Sequence, residues 1–485
     1  MTRIVHGMTL GLAIASTGVQ ASFAAEPVPT FARDVAPVVF AKCVSCHRPG
    51  EVAPMSLLTY NDVRPWAKSI REKVRTGEMP PWGADKRFGT FLNDRTLTAQ
   101  EIRTIVAWVD GGAPKGNDAD LPPAPRQFTG WTAASIAASE PDFVIEMMAP
   151  YHIPPEGELP NLSFYTPIPF KEDRFSRLLE ARPGNRSAVH HYTVAVDDLP
   201  EGAKPDEGGE LIYKDGTRAN DVAGQRDRRR TLQQRQAVNA RSTHQIVDYT
   251  PGRAALPASS PDIGMRIPAG KYIHFGMHYQ STGQPETDQS KLGIWFNSRT
   301  AVQELYRESI GTPLANAADR TGFYRVEGET SLHDPKTTPG RHEDAWPPLA
   351  PFADAYTVVG ATPIIEPITL YGFTPHMHLR GKDMTWVLTL PDGRQETLLS
   401  VPKYDFNWQT YYELAKPRKI PAGSTITNIA HYSNTPANRY NPAPDKDVYW
   451  SEQSWDEMYL PYITYTIDSE DLNRKAAASP GQHHP

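Results

Sequence analysis

The 485-residue chain has only two cysteines, Cys43 and Cys46, and they fall within four consecutive residues. That scarcity excludes the disulfide framework on which many exported domains depend. Long apolar runs are missing too: beyond the N-terminus no segment approaches the roughly 20 apolar residues of a membrane-spanning helix. No stable membrane insertion is expected. Positive charge is not in excess either, with a net charge of −6 that argues against a nucleic-acid binder. Proline, by contrast, is plentiful at 46 residues, a composition suited to loop-rich β structure rather than helical bundles.

Both cysteines are used in one run, Cys43-Val44-Ser45-Cys46-His47. C-x-x-C-H attaches a c-type haem: two thioethers hold the macrocycle and His47 ligates the iron. A disulfide between Cys43 and Cys46 would close too tight a loop to be common. For the sixth iron ligand the candidate is Met79, in Gly77-Glu78-Met79-Pro80-Pro81-Trp82, where prolines fix an extended segment. Met55 is its rival, and Met79 as a plain packing residue is the alternative. Methionine–histidine ligation favours electron transfer at the iron.

The first 25 residues read as a secretory signal peptide, with Arg3 before an apolar run and a small-x-small site at Ser22-Phe23-Ala24. A single-pass anchor is the other reading, but His6, Gly7, Thr17 and Gln20 interrupt the run. An exported, periplasmic protein is expected.

The remaining sequence divides into residues 27–120, a c-type cytochrome domain; 126–315 and 316–473, two further domains; and a disordered tail from 474. The expected fold class is a small all-α cytochrome c domain followed by two all-β antiparallel sandwiches of jelly-roll type. Helix signals sit early. Thr30 is placed to cap a helix bearing Phe31, Val35, Val38 and Val39. Thr98 and Glu101 form a capping box ahead of Ile102, Ile105, Val106 and Val109, and Gly111-Gly112 stops that helix. From about Phe128 short alternating segments take over, among them Val189 to Val196, Tyr272 to Tyr279, Lys291 to Phe296, Ile364 to Tyr371, Thr385 to Leu390 and Tyr459 to Ile467. The insertion Asp215 to Arg241, with its basic run at Arg226 to Arg230, reads as a solvated surface segment rather than a docking patch.

The histidines gather in a few places. His190 and His191 are neighbours on an apparent strand, so both reach one metal only at a bulge or strand end. His278, in Met277-His278-Tyr279, completes a three-imidazole set. His376-Met377-His378 puts two imidazoles on one face of a strand, and Met458 lies on a later one. Three imidazoles in one set, and two imidazoles with a thioether in the other, suggest two copper ions. No acidic cluster accompanies them, which counts against a zinc hydrolase or an iron facial triad. Asp288, Asp383 and His274 read as structural.

In this order the strings Val189-His190-His191, Met277-His278-Tyr279, Pro375-His376-Met377-His378-Leu379-Arg380-Gly381-Lys382-Asp383 and Asp456-Glu457-Met458 resemble the copper type II, ascorbate-dependent monooxygenases. Peptidylglycine α-hydroxylating and dopamine β-monooxygenases belong to that family, and the strings resemble in particular its bacterial branch with an N-terminal cytochrome. The resemblance spans about Glu140 to Ile467. It implies that His190, His191 and His278 bind an electron-storing copper, and that His376, His378 and Met458 bind the copper that activates dioxygen. It also implies that Tyr462 contacts substrate and that a C–H bond of a small organic molecule is hydroxylated. Electrons would come through the haem, from ascorbate or a periplasmic redox protein. The chain departs from the family at Thr374, where the peptide-hydroxylating relative has an arginine for the substrate carboxylate, and at Leu460. Trp386, Trp408 and Tyr411 are candidate walls of the substrate cleft. A non-enzymatic electron-transfer or copper-binding protein is the competing reading, and a haem-based sensor a third.

Overall fold

A computed structural model describes residues 27–473 apart from 50, 52, 124–129, 134–136, 138, 158, 221–243, 251–255, 258–259, 298–300, 311–322, 327–348 and 450–452. The signal peptide, the C-terminal tail, the basic run and the division between the two expected copper domains lie outside the described residues.

The expected fold class is corrected by the architecture. Strands dominate, at 36% of the chain, the helices are few and short, and the larger sheets stand in a four-bladed, propeller-like arrangement. An all-α cytochrome domain followed by sandwiches does not describe it. The physical reason lies in residues 82–93, which pack on a strand of the C-terminal region, with Phe91 bridging to Leu414, instead of folding back on the helices. Backbone bonds from Leu92 N–H to Glu413 O and from Ala415 N–H to Thr90 O, each 2.8 Å, tie this segment to the strand Tyr412–Ile420. Trp82 and Phe91 pack edge-on against the Tyr412 ring, with centroids 5.0 and 5.6 Å away. Phe91 is thus buried in the same apolar cluster as Leu370, Phe373 and Ile463.

Local helix chemistry nevertheless follows the sequence. Ala99–Asp110 is opened by the capping box, in which Thr98 Oγ1 accepts from Glu101 N–H at 3.1 Å and Glu101 Oε2 accepts from Thr98 N–H at 2.6 Å. Ile105 and Trp108 are its buried face. Thr30 does not cap its helix. Its N–H donates to Asp34 Oδ2 at 2.7 Å, and Phe31–Val35 form a π-helical turn before Ala36–Lys42.

Two four-stranded antiparallel sheets position the candidate residues. In the first, Leu162–Pro167, Tyr272–Tyr279, Val189–Asp197 and His244–Tyr249 are neighbours in that order. In the second the order is Tyr306–Ser309, Tyr462–Ile467, Ile368–Thr374 and Tyr412–Ile420. A six-stranded and a five-stranded sheet contribute residues to the same two apolar clusters. Trp386, a candidate cleft wall, is wholly buried in the second cluster and serves as core.

Candidate metal centre

His191 and His278 face each other across two antiparallel strands, and the next pairing joins Tyr279 to Val189. The register shift leaves His190 as the extra residue of a bulge. A bulge turns an adjacent side chain toward the face its neighbour already uses, so the His190 and His191 rings meet, Nδ1 to Nδ1 at 2.9 Å. The His191 and His278 rings stack at 4.0 Å.

His376 and His378 are not on a strand. Ile368–Thr374 ends before them, at Pro375, which has no N–H for the ladder. They stand in the loop that follows, and Met458 precedes the strand Tyr462–Ile467 instead of lying on it. The loop still brings them together. His376 Nε2 is 3.3 Å from Met458 Sδ, and the two imidazole rings are 5.3 Å apart. The Glu457 carboxylate fixes this arrangement, accepting from His378 N–H at 2.8 Å, Met458 N–H at 3.2 Å and Arg380 N–H at 2.5 Å. Burial pushes that carboxyl up to about 7.

The two sets adjoin. His278 and His378 ring centroids are 6.4 Å apart, and the Phe406 ring lies 5.3 to 5.8 Å from those of His190, His191 and His378. Burial lowers every one of these imidazoles from its ordinary value: His278 to about 3, His376 to about 4, His191 and His378 well below, and His190 in the same direction. All five are neutral near pH 7, the form that binds metals.

Second ring nitrogens are held by groups that sequence reasoning missed. His190 Nε2 meets Asn407 Oδ1 at 3.2 Å, His278 Nδ1 the Ser454 hydroxyl at 3.1 Å, His376 Nδ1 Gln409 Oε1 at 2.5 Å, and His378 Nδ1 the Asp456 carbonyl at 3.3 Å. Such partners fix the tautomer and ring angle of a metal ligand. What stays unsatisfied is informative: Nε2 of His191 and Nε2 of His378 are buried without a hydrogen-bond partner. One orphaned nitrogen belongs to each set. Among the described residues no group of three or more His, Cys, Asp or Glu side chains is arranged to hold a metal ion. Two features fit that result: the second set has only two such side chains beside its thioether, and His190 and His191 direct Nδ1 at each other.

The carboxylates and histidine set aside as structural are so engaged. Asp288 accepts from the Tyr279 hydroxyl at 3.0 Å, Asp383 meets His431 at 2.6 Å, and His274 meets Asp197 at 2.8 Å.

At the N-terminal motif, no disulfide joins Cys43 and Cys46. His47 Nδ1 contacts the Met55 carbonyl at 3.3 Å, so Nε2 is the nitrogen that could serve an iron. Met79 is half-buried just past the helix Ala67–Thr76, its N–H on the Lys73 carbonyl at 3.2 Å. The motif's loop touches the first histidine strand through a half-buried ion-pair chain: Arg48 pairs with Glu51 at 3.0 Å, and Glu51 with Arg186, four residues before His190.

No protein-family profile matches the chain, and no curated protein does. Among solved structures, one of infectious bursal disease virus Gx strain aligns at 12% identity over 68% of this chain and 73% of its own, with a TM-score of 0.16. One of the Gt strain aligns at 10% identity over 71% and 78%, with a TM-score of 0.17. Likeness at that level carries no argument. No helix among the described residues is long and apolar enough to cross a membrane.

Proposed function

We propose that this protein is a periplasmic, copper-dependent monooxygenase of the ascorbate-dependent type II family, hydroxylating a C–H bond of a small organic substrate with dioxygen. The observation that carries the reading is the meeting of His190, His191, His278, His376, His378 and Met458 in one buried cluster with an unpartnered imidazole nitrogen in each set. Neutral imidazoles held by outer partners, and a thioether beside two of them, form a donor set suited to copper in both oxidation states. Copper bound there would supply one-electron redox chemistry and dioxygen activation. His190, His191 and His278 would hold one ion, and His376, His378 and Met458 the other.

The chain's own residues do the rest. Asn407, Ser454, Gln409 and the Asp456 carbonyl orient the rings, Glu457 locks the His376–Met458 geometry, and the Phe406 ring packs against both sets. Cys43 and Cys46 would bind a haem c covalently, His47 and Met79 would ligate it, and ascorbate or a periplasmic redox protein would be the donor.

A second reading draws support from the 6.4 Å spacing of His278 and His378 and the Phe406 ring against both sets. So close a junction leaves little space for substrate between them and suits a non-enzymatic electron-transfer or copper-binding protein. Dioxygen uptake by the reduced, copper-loaded protein separates the two. Uptake that rises with an organic substrate and matches hydroxylated product supports the oxygenase; uptake without product rejects it.

A further inference from the structure

Beyond the histidine cluster, the second sheet carries a group of buried polar atoms with nothing to bind. Arg307 is 2% exposed, and its Nε and Nη1 have no hydrogen-bond partner. Its Nη2 faces Asp248 Oδ2 at 3.7 Å, and its guanidinium lies over the Tyr462 ring at 4.3 Å. The hydroxyls of Thr464 and Thr374, both 2% exposed or less, are also unpartnered.

Strand register places these groups on one face. Arg307 pairs with Thr464 and Thr374 with Tyr462, and directly opposed residues in a sheet share a side. Tyr462 and Thr464 are two apart on one strand, so both pairs share that side. Continuing along it from Thr374, the chain reaches His376, whose carbonyl accepts from Leu460 N–H at 3.0 Å. Gly372, opposite Thr464, has the Tyr411 ring where a side chain would stand: a methyl there would lie 2.5 Å from the tyrosine oxygen. Thr464 and Tyr411, with Leu305, Tyr371 and Glu413, line a small cavity of about 60 Å³, in which Thr464 is the member shared with the Arg307 group. Tyr462 is partly exposed and gives the group an edge toward solvent.

We propose that this face is the substrate's anchoring site, and that Arg307 and Thr464 donate hydrogen bonds to an uncharged carbonyl oxygen, as in an amide or ketone, with the neighbouring carbon skeleton on the cavity side of Thr464. The chemistry selects the group. Guanidinium nitrogens only donate, and a threonine hydroxyl can rotate to donate, so the partner is an acceptor oxygen. Asp248 neutralises the charge of Arg307, so a buried carboxylate would lose its hydration with no net positive charge to offset the loss. A neutral carbonyl loses far less. The role assigned to the site as substrate anchor rests on the oxygenase reading; its preference for a neutral acceptor does not.

The test titrates the full-length protein with N-methylacetamide and with propionate, followed by ligand-observed NMR. N-methylacetamide binds about tenfold more tightly or better, the discrimination of a site built around hydrogen bonds. Thr464→Val, near in shape, weakens the amide and leaves the circular dichroism spectrum unchanged. Asp248→Asn leaves Arg307 with net charge and turns the preference toward propionate. Equal or tighter propionate binding by the parent, binding of neither probe, or a ratio unmoved by both substitutions overturns the proposal. Copper content is measured on the same samples. A chain that takes up no copper but keeps the preference defeats the oxygenase reading and leaves the carbonyl site standing.

Discussion

The imidazole rings of His278 and His378, one on a strand of the first sheet and the other in the loop after a strand of the second, lie 6.4 Å apart. Copper ions bound through both rings would be near enough for their spins to couple. The oxidised, copper-loaded protein is expected to give a broadened or diminished EPR signal, and His278→Ala to restore that of a single isolated Cu(II). Two independent, unbroadened signals in the parent would contradict the spacing.

Gln409 touches no proposed metal position, yet it holds His376 Nδ1. Gln409→Leu is expected to lower copper affinity about 10- to 100-fold, as loss of an outer partner does. Competition with a calibrated chelator measures it, and an unchanged affinity would reduce Gln409 to packing.

Glu51 and Arg186 join the C-x-x-C-H loop to the strand that carries His190 and His191. Reversing either charge, Glu51→Arg or Arg186→Glu, is expected to destabilise the protein by about 1–3 kcal/mol, and the double exchange to recover most of it. Electron delivery from haem to copper, followed by stopped flow, should slow in the single variants and recover in the double. No recovery in either measurement would mean that the pair does not couple the two regions.

Glu304 gives the clearest pH signature away from the cluster. Burial, chiefly, pushes its carboxyl from 4.5 up to about 7, against the opposing pull of Arg266. A raised folded-state value means that the native protein holds the proton more tightly than the unfolded chain. This contribution to stability is whole below about pH 4.5 and is lost as pH rises through about 7, at a total of roughly 1–3 kcal/mol. Glu304→Gln should remove the slope, matching the parent at pH 5 and exceeding it at pH 8 in urea denaturation. A parent no less stable at pH 8 than the variant would refute it.

Much of the cluster was legible because its signals are local. Alternation marked Tyr272–Tyr279 to its ends, and adjacency of His190 and His191 on one site called for a bulge or a strand end, of which the register shift at Tyr279 is the first. The capping box at Thr98 and Glu101 was equally plain. Signals that depend on distant pairing were not. Nothing in residues 82–93 announces that they pack on Tyr412–Ile420, so the sequence alone sets the helices before them apart as an all-α unit. His376 and His378 have strand spacing, but Pro375 ends the strand first. Asn407, Gln409 and Ser454 are ordinary loop residues in sequence; only the folded chain sets them against imidazole nitrogens. Arg307 was missed for the same reason, since neither its burial nor its two unpartnered donors can be seen before Asp248 and Tyr462 are in place.

Whether this buried cluster is a copper centre is decided most directly by X-ray absorption at the copper edge, on reduced protein of measured copper content. Two ions per chain are predicted, with a sulfur scatterer that disappears in Met458→Ile while the histidine signal persists. Fewer than one ion per chain, or a spectrum indifferent to that substitution, would contradict the assignment.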